Sequence, residues 1–546
     1  MGLRSGGDGP YRTGARLGQR LARPSADRAA AGRHGSGRPR RGPAAMTRAL
    51  AIASDRGPVA FSGAGPRLRA ERRTGSVTAI LDTAARGLPR HTLWVAPSAA
   101  EADRRAIGSV EHARLTRRLG YTYTPLPVSE RQYREYYDDV GVRMLWLALH
   151  GLWPDVAGTG ARPPDPSAFT RSYQQVNRGV AEQIVRQTRP DTPVLVQDYQ
   201  LATTPGFIRA LRPGQPIGLF LHTPFCTPDE LARLPRSVSG AVLDGMLAAD
   251  LLGFQSPRWA SNFLDCCEAW DRRVQRGGTA AHIVGVVDSP RPPQTGGAAG
   301  PTRISTVSCY PVLADSALLA ANAQSAEVSA WERELAPNPA IRRIVRVDRI
   351  DPSKNILRGL EAFHSVLERT PGFWGRVAMT ACLTPSRERI PEYRVYADRI
   401  RHTAERLNHR FPGCLDVHLG HDVARCLAAL KSYDVLLVNP VRDGMNLVSQ
   451  EGPQLNTRHG ALVLSRSAGS SDLLGQQALL LDDPRDVDAT ARALRNALAL
   501  SPAERRQRAA GLRDAVADGD PVRWLARQVQ ELERLAAEPP AGVPSP

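Results

Sequence analysis

Two cations, Arg349 and Lys354, lie five residues apart in the segment VRVDRIDPSKN. This segment opens as a β-branched run, breaks at Pro352 and resumes with helical apolar spacing at Ile356 and Leu360, which predicts strand, loop and helix. Both cations then face a loop at a helix N-terminus, whose free backbone N–H groups favour an anion, above all a diphosphate. The alternative is that Lys354 only caps a surface helix.

Lysine is rare in this chain. Of the 72 Lys and Arg residues, only Lys354 and Lys431 are lysine, so nearly every positive charge is an arginine. A lysine in such a background indicates that its position requires a compact ammonium rather than a planar guanidinium.

A second segment with candidate anion ligands is PVRDGMNLVSQEGPQLN. Asp443 and Gly444 make a turn after an apolar strand, and a helix is predicted to begin at Asn446 with unpaired N–H groups that could hold a phosphate. Glu451 lies in the first turns of that helix, where its carboxylate could accept hydrogen bonds from two ribose hydroxyls. The alternative is that Glu451 only compensates the helix dipole.

Three residues in the N-terminal half stand where α/β proteins bind ligands. Asp198 follows the apolar run VLV, and His222 follows GLFL, so both are predicted at the carboxyl ends of strands. Gly75 precedes a segment with helical spacing, where a small backbone lets a ligand approach the amides. Each of the three is a weak signal by itself, since loops also use such residues for turns and backbone contacts.

An aromatic segment, YREYYDDVGVRMLWLALHG, separates the first strands from these residues. The helical period places Tyr133, Tyr137 and Leu145 on one face, with Trp146 beside them. From the pattern alone, this stripe is typical of an aromatic core.

Apolar strands alternate with helices in two series, one on each side of an Ala-rich helical connector. This alternation predicts an α/β fold with two Rossmann-like, doubly wound domains that face a cleft. Residues 273–303 are predicted to form a Gly/Pro-rich surface loop. The predicted units are an Arg/Gly-rich tail 1–45, an N-terminal Rossmann-like domain 46–320, a C-terminal Rossmann-like domain 321–500, helices 501–536 that pack on the surface or cross back, and a tail 537–546.

The net charge of +18 suggests nucleic acid, but its distribution argues against it. The first 45 residues hold ten arginines against Asp8 and Asp27, and they lack the interleaved aromatics that stack on bases. Met46 directly precedes a strand-like run, so whether the tail is translated stays open. We expect no nucleic-acid partner.

The cysteines form no CxxC motif and no Cys/His cluster. An odd number of scattered thiols, seven here, is typical of a reducing compartment. The sequence also lacks a membrane-spanning apolar run and the apolar core of a signal peptide. A cytoplasmic protein without a membrane partner or structural metal is therefore expected.

Eight motifs occur in the order found in trehalose-6-phosphate synthases, and the chain resembles that family from about Ala49 to Leu532. The motifs are SDRGPV, EYYDDVGVRMLW, QDYQLATTP, FLHTPFCTPDELARLP, LLGFQS, RVDRIDPSKN, TPSRE and RDGMNL. The family consists of retaining glycosyltransferases with two Rossmann-like domains, the GT-B type. Eight collinear motifs are far more specific than any one of them.

The resemblance implies a role for each matched residue. Arg349 and Lys354 match the pair that neutralises the donor diphosphate, and His222 and Asp443 match contacts to the transferred sugar; these four are the predicted catalytic residues. Further donor-binding matches are Gly75, Met445, Asn446, Leu447, Val448 and Glu451. The acceptor-binding matches are Arg56, Tyr137, Trp146, Asp198 and Arg387. The match at Tyr137 replaces the aromatic-core interpretation with a substrate-binding one.

The implied reaction transfers glucose with retention from UDP-glucose or GDP-glucose to glucose 6-phosphate, giving trehalose 6-phosphate. In such enzymes the leaving phosphate oxygen is thought to help deprotonate the incoming hydroxyl, without cofactor or metal. The expected partners are nucleotide-sugar and sugar-phosphate substrates, and a homo-oligomer stays open.

Several family positions are changed in this chain. The changed residues are Gly141, Val142, Gln197, Gln200, Leu313, Asn355 and Gln450. Two alternatives therefore stay open: a related transferase for another phosphorylated acceptor, such as glycerol 3-phosphate or an amino-cyclitol phosphate, and a non-catalytic sugar-phosphate-binding homologue.

Overall fold

A computed structural model describes residues 49–63, 69–72, 76–160, 162–277, 282–289, 303–335, 338 and 340–537. The predicted tail 1–45 and nearly all of the predicted tail 537–546 lie outside the described residues.

The strands of the N-terminal half are β1 (Ala49–Ala53), β2 (Val59–Ser62), β3 (Arg69–Arg72), β4 (His91–Ser98), β5 (Thr122–Pro127), β6 (Val194–Gln197), β7 (Ile217–Leu221), β8 (Leu251–Phe254), β9 (Arg273–Arg276), β10 (Ile283–Ser289) and β11 (Arg303–Cys309). Those of the C-terminal half are β12 (Arg342–Arg349), β13 (Val377–Thr384), β14 (Leu415–Leu419), β15 (Val435–Val438), β16 (Ala461–Ser465) and β17 (Leu479–Leu481).

The helices up to the connector are α1 (Ser76–Gly87), α2 (Glu101–Ala106), α3 (Val110–Leu119), α4 (Glu130–Tyr133), α5 (Leu147–Leu149), α6 (Trp153–Val156), α7 (Gln174–Gln187), α8 (Thr204–Leu211), α9 (Pro228–Leu231), α10 (Arg236–Leu247), α11 (Pro257–Ala269), α12 (Ser316–Asn322) and α13 (Ala326–Leu335). Those that follow are α14 (Ile356–Arg369), α15 (Pro391–Arg410), α16 (Val423–Lys431), α17 (Val448–Leu455), α18 (Ser471–Leu474), α19 (Val487–Ala499), α20 (Pro502–Ala515) and α21 (Pro521–Ala537).

The first sheet has its earliest strand, β1, in an inner position with later strands on both sides. Within the described residues it has nine strands in the order β5-β4-β1-β6-β7-β8-β11-β10-β9. Strand β1 pairs in parallel with β4 on one side and with β6 on the other. The strand order reverses between β1 and β6, and ligands of open α/β sheets bind at such a switch point.

The second sheet repeats this arrangement. Its strands in the described part of the chain run β14-β13-β12-β15-β16-β17, all parallel, with β12 paired to both β13 and β15. This is the Rossmann order, with the switch point between β12 and β15. The predicted α/β fold with two Rossmann-like, doubly wound domains is confirmed, whereas the domain boundaries stay predictions.

The predicted surface loop at 273–303 is wrong in two places. Strands β9 and β10 lie within it, and they extend the first sheet in the antiparallel direction from β11. Strand β9 escaped detection because it is short and mostly exposed, so it lacks a clear apolar period.

The aromatic segment is helical, but it is wound more widely than an α-helix. Residues Arg134–Trp146 form a π-helix that bridges α4 and α5. Tyr137 and Trp146 are both buried in the core of the first half. Apolar spacing alone does not distinguish a π-helix from an α-helix, and the π form is often found at functional sites.

The last helix returns to the first sheet. The α21 residues Trp524, Leu525 and Leu532 are buried in one cluster with Leu50 and Ile52 of β1. Helix α20, by contrast, contacts α17, α18 and β16 of the second half. Between α20 and α21 the chain therefore crosses back to the first half, so the two halves are connected by the chain at two places.

Candidate active site

The two predicted phosphate cations lie at the switch point of the second sheet. Arg349 is the exposed last residue of β12, and Lys354 ends a short 3₁₀ turn formed by Pro352–Lys354. The Lys354 ammonium contacts the Oδ2 carboxylate oxygen of Asp443, in the loop after β15. Burial opposes ionisation of Asp443, but the Lys354 charge and hydrogen bond outweigh it and lower the pKa of this carboxyl.

A buried arginine holds the loop that carries Lys354. The Arg346 side chain is fully buried and donates from Nη2 to the Lys354 carbonyl oxygen at 3.0 Å. It also forms an ion pair with Asp348 at 2.8 Å. Gly359 leaves room for this guanidinium, because a Cβ there would overlap Arg346 Nη1. The sequence analysis missed Arg346, which no local spacing distinguishes from the many surface arginines.

Asn355 is one of the changed family positions, and its backbone explains which residues fit there. Its φ of 56° is left-handed, a conformation that glycine adopts freely and that asparagine tolerates better than most residues. Its amide donates to the carbonyl oxygens of Asn439 at 3.0 Å and Pro484 at 2.6 Å. This change therefore keeps the turn and adds contacts that glycine cannot make.

The predicted helix at Asn446 begins two residues later, at Val448. Asn446 has a φ of 69°, and its Oδ1 accepts from the Ser449 N–H at 3.1 Å. Its Nδ2 donates to Asp443 at 3.0 Å. The prediction that the helix begins at Asn446 is wrong, because this left-handed residue closes the loop and serves as a cap.

Glu451 lies on the first turn of α17 and faces away from any counter-charge. Burial raises the pKa of its carboxyl to about 7. No hydrogen bond or ion pair of this side chain occurs within the described residues. A carboxylate held in this way has its lone pairs free to accept from a ligand.

Arginine 387 forms the centre of a buried cluster on the other side of the site. Its guanidinium carbon lies 4.0 Å from the centroid of the Trp146 ring. It pairs with Asp351 at 2.8 Å and donates to the Tyr393 hydroxyl at 2.5 Å. Burial opposes ionisation of Asp351, but Arg387 and Arg349 outweigh it and lower the pKa of that carboxyl to about 2.

A second arginine approaches the same aromatic residues from the first sheet. Arg56 follows β1 and donates to the Tyr137 hydroxyl at 3.2 Å. The Arg387 guanidinium lies 6.0 Å from the same ring, and the Arg349 guanidinium lies 5.8 Å from the ring of Trp146. Three guanidinium groups therefore lie around two aromatic rings. Contact with a ring orients a guanidinium group, but it does not neutralise the positive charge of that group.

The residues after β6 and β7 meet at the carboxyl edge of the first sheet. Asp198 has a φ of 71°, and its Oδ1 accepts from the His222 N–H at 3.2 Å. Burial raises the pKa of Asp198 to about 7 and lowers the pKa of His222 to about 3. The imidazole is therefore neutral at physiological pH.

The two halves touch directly behind these residues. A Cβ on Gly444 would overlap the carbonyl oxygen of His222, so only glycine allows this approach. The Trp259 indole donates to the Gly444 carbonyl oxygen at 2.9 Å. Because Gly444 follows Asp443, the contact places the donor-side loop beside His222.

Several buried polar atoms around this cluster have no hydrogen-bond partner among the described residues. They are Trp146 Nε1, Gln197 Nε2, Tyr199 Oη, Gln200 Oε1, Thr223 Oγ1 and Arg387 Nε. A buried polar atom without a partner costs about 1–3 kcal/mol. A hydroxyl group of a ligand could supply the missing hydrogen bonds.

Of the fifteen predicted site residues, fourteen lie within the described residues, in or beside these two neighbouring clusters. Gly75 lies outside the described residues, so its placement stays a prediction. Asp351 and Tyr393 were missed by the sequence analysis. Asp351 could have been found, because it directly precedes the phosphate loop in RIDPSKN, whereas nothing local marks Tyr393.

Within the described ranges, no three His, Cys, Asp or Glu side chains lie close enough to hold a metal ion. The helices of the described part are all too short or too polar to cross a membrane.

Comparison with known proteins gives one consistent result. The model of glycosyltransferase family 20 matches residues 58–534. A trehalose-6-phosphate synthase of Mycobacterium sp. (strain JLS) is 33% identical over 414 residues, which cover 74% of this chain and 81% of that protein. One from Mycolicibacterium vanbaalenii is 32% identical over 476 residues, covering 83% and 88%. A solved E. coli structure bound with UDP-2-fluoro glucose has a TM-score of 0.73 and 25% identity, covering 89% of this chain and 99% of that one.

Proposed function

The chain belongs to glycosyltransferase family 20, and from this membership we propose that it transfers glucose with retention from UDP-glucose to glucose 6-phosphate, giving trehalose 6-phosphate. It is a glycosyltransferase of the trehalose-phosphate synthase type. The solved E. coli structure holds a UDP-sugar, which favours uridine over guanosine in the donor.

The donor side is carried by one observation, the contact between Lys354 and Asp443 at the switch point of the second sheet. A diphosphate is a stronger partner for the ammonium than one carboxylate, so the donor would take Lys354 over and release Asp443 towards the sugar hydroxyls. Arg349, which has no carboxylate partner among the described residues, would bind the same diphosphate. Glu451 would accept from the ribose hydroxyls.

The acceptor side has the charge that a sugar phosphate needs. Arg56 and Arg387 approach Tyr137 from opposite halves of the protein, and they would bind the phosphate of the acceptor between them. Trp146 and Asp198 would contact the sugar ring. The unpartnered polar atoms nearby would gain hydrogen bonds from the ring hydroxyls, which repays part of their cost.

In the transfer step, the bond between the anomeric carbon and the diphosphate oxygen breaks while the acceptor hydroxyl attacks from the same face. The leaving oxygen accepts the hydroxyl proton, so atoms and charge balance without a protein nucleophile. Lys354 and Arg349 stabilise the charge that grows on the diphosphate, and preorganised charges of this kind supply a large part of a rate enhancement.

An acceptor panel tests the proposal. Purified full-length protein is mixed with UDP-glucose or GDP-glucose and with glucose 6-phosphate, glycerol 3-phosphate, an amino-cyclitol phosphate or unphosphorylated glucose. We expect nucleotide release with UDP-glucose and glucose 6-phosphate at a kcat/KM at least about tenfold above every other pair. Proton NMR of the disaccharide should show both anomeric centres in the α configuration.

Each alternative has its own outcome in this panel. The fastest release with another phosphorylated acceptor would identify a related transferase. Calorimetric binding of glucose 6-phosphate without nucleotide release from any pair would identify a non-catalytic homologue, to which the changed residues Gln197, Gln200 and Gln450 draw attention. Unphosphorylated glucose as the best acceptor would exclude the proposed role of Arg56 and Arg387.

A further inference from the structure

A continuous set of hydrogen bonds joins His222 to the segment between the two sheets. Gln255, which follows β8, accepts from the Val312 N–H at Oε1 over 2.9 Å, and its Nε2 faces His222 Nδ1 at 3.4 Å. On the other side of the ring, His222 Nε2 lies 3.0 Å from Gln197 Oε1. Gln197 and Gln255 are both fully buried.

The backbone determines the direction of every bond in this set. A backbone N–H can only donate, so Val312 requires the oxygen of Gln255 to face it, and the Gln255 amide nitrogen must then face His222. An amide nitrogen only donates, so Nδ1 of His222 must be the acceptor and the ring proton must sit on Nε2. This N–H donates to the oxygen of Gln197, which leaves the Gln197 amide nitrogen without a partner among the described residues.

Gln450 holds the backbone at Val312, where this set of hydrogen bonds begins. This buried side chain on α17 donates to the Val312 carbonyl oxygen at 3.2 Å and accepts from the Ala314 N–H at 2.9 Å. The two contacts flank Leu313, so the changed positions 313 and 450 belong to one local arrangement.

We propose that Gln255 is a positioning residue for sugar transfer: it locks His222 in the Nε2-protonated tautomer and thereby leaves the Gln197 amide nitrogen as the donor to a sugar hydroxyl, with Gln450 holding the Val312 backbone. The Gln197 side chain ends β6, at the carboxyl edge where sheets of this kind bind ligands. The role in sugar transfer rests on the proposed function. The tautomer does not, because it follows from the protein's own bonds.

The first measurement is the tautomer in the unliganded wild-type protein. Histidine labelled with ¹⁵N is introduced throughout the chain, and the His222 signals are identified by their loss in His222→Gln. We expect Nδ1 in the unprotonated range of ¹⁵N shifts and Nε2 in the protonated range. A protonated Nδ1 with an unprotonated Nε2 would overturn the proposal whatever the enzyme's activity.

The second measurement uses Gln255→Glu, which preserves size but replaces the donor by an acceptor. The carboxylate still accepts from Val312, and it should draw a proton onto Nδ1 of His222. We expect the Nδ1 signal to move into the protonated range, and kcat to fall about ten- to a hundredfold, as when one preorganised donor is lost. The donor KM should stay within about threefold, because the diphosphate and ribose contacts are untouched.

A matched pair of variants on α17 separates positioning from general destabilisation. Gln450→Leu removes both hydrogen bonds to the backbone of Val312 and Ala314, and it should lower kcat several-fold. Gln454→Leu, whose amide donates to the Val516 carbonyl oxygen at 3.2 Å away from the site, should leave kcat within about twofold. Equal losses in both variants would overturn the part assigned to Gln450. Unchanged kcat in a folded Gln255→Glu protein with a shifted tautomer would overturn the catalytic role.

If wild-type protein shows no transfer to any acceptor while the tautomer is as expected, the proposed function is wrong, but the inferred Nε2-protonated tautomer of His222 is confirmed. If transfer is normal and the tautomer is reversed, the positioning role has failed and the proposed function stands.

Discussion

The donor side and the acceptor side of the site satisfy their polar groups in different ways. On the donor side, Lys354 already contacts Asp443, and Asn446 donates to the same carboxylate. On the acceptor side, Arg387 and Trp146 are stacked 4.0 Å apart, and both keep a buried nitrogen without a partner among the described residues.

This difference indicates two modes of binding. A donor diphosphate must displace an internal carboxylate, so its affinity depends on the exchange of one anion for another. An acceptor sugar completes hydrogen bonds that the protein leaves unmade, each at a cost of about 1–3 kcal/mol. Removing a charge should therefore damage the donor side most, whereas changing the shape of a cation should damage the acceptor side.

The largest effect is expected from removing a donor-side cation. Lys354→Ala and Arg349→Ala should each lower kcat about a hundred- to a thousandfold, because the charge that grows on the leaving diphosphate loses a fixed partner. Steady-state kinetics with UDP-glucose measures the loss, and thermal unfolding checks the fold. Lys431→Ala is the matched control: the only other lysine ends α16 and pairs with Glu332 of α13 at 2.7 Å, and it is not one of the predicted site residues. Near-normal turnover in either site variant would contradict the charge-exchange picture.

A smaller effect is expected from a change of shape on the acceptor side. Arg387→Lys preserves the charge, but an ammonium cannot both stack on Trp146 and pair with Asp351 as the planar guanidinium does. The KM for glucose 6-phosphate should rise about tenfold, with the donor KM little changed. Arg389→Lys is the control in the same loop, since its side chain is 64% exposed and its pair with Asp138 is weak. An equal rise in both variants would show that stacking is irrelevant.

The smallest effect concerns pH and Glu451. Burial raises the pKa of this carboxyl to about 7, so the form that accepts from both ribose hydroxyls is lost as pH falls through that value. The KM for UDP-glucose should rise a few-fold between pH 8 and pH 6, and Glu451→Gln should remove most of this dependence.

The same pKa shift affects the stability of the fold. A carboxyl whose folded pKa lies above its unfolded value of about 4.3 binds its proton more tightly when folded. Its contribution therefore reduces stability as pH rises from about 4 to 7.

The control for the pH experiment is Glu405→Gln, an exposed carboxylate on α15. Its KM profile should match that of the wild type. If Glu451→Gln keeps the full pH dependence, then another group, such as Asp198 with its pKa of about 7, governs the profile instead.

Much of the site could be predicted because its residues follow strands. Arg349 ends β12, Asp198 follows β6 and His222 follows β7, and the carboxyl ends of parallel strands meet at one edge of a sheet. Strand and helix alternation is a local property, so two doubly wound sheets could be read from periodicity. The family motifs then supplied the assignment of roles.

Other features could not be read in this way. The left-handed backbone of Asp198, Asn446 and Arg387 carries no mark in the sequence, since none of them is glycine. The helix predicted at Asn446 therefore began too early, and the short strands at 273–289 were taken for a loop. In each case tertiary contacts outweigh weak local preferences.

The sequence by itself determined which elements form, at which edge their polar residues lie, and which family they resemble, because these depend on neighbours within a few residues. Only the tertiary structure decided which groups meet. Lys354 and Asp443 are 89 residues apart, and Ala314 and Gln450 are 136 apart. Such pairs form when two separately wound sheets pack through Gly444 and His222. The direction of the bonds around His222 follows from that packing, since a backbone N–H far along the chain determines where a ring proton lies.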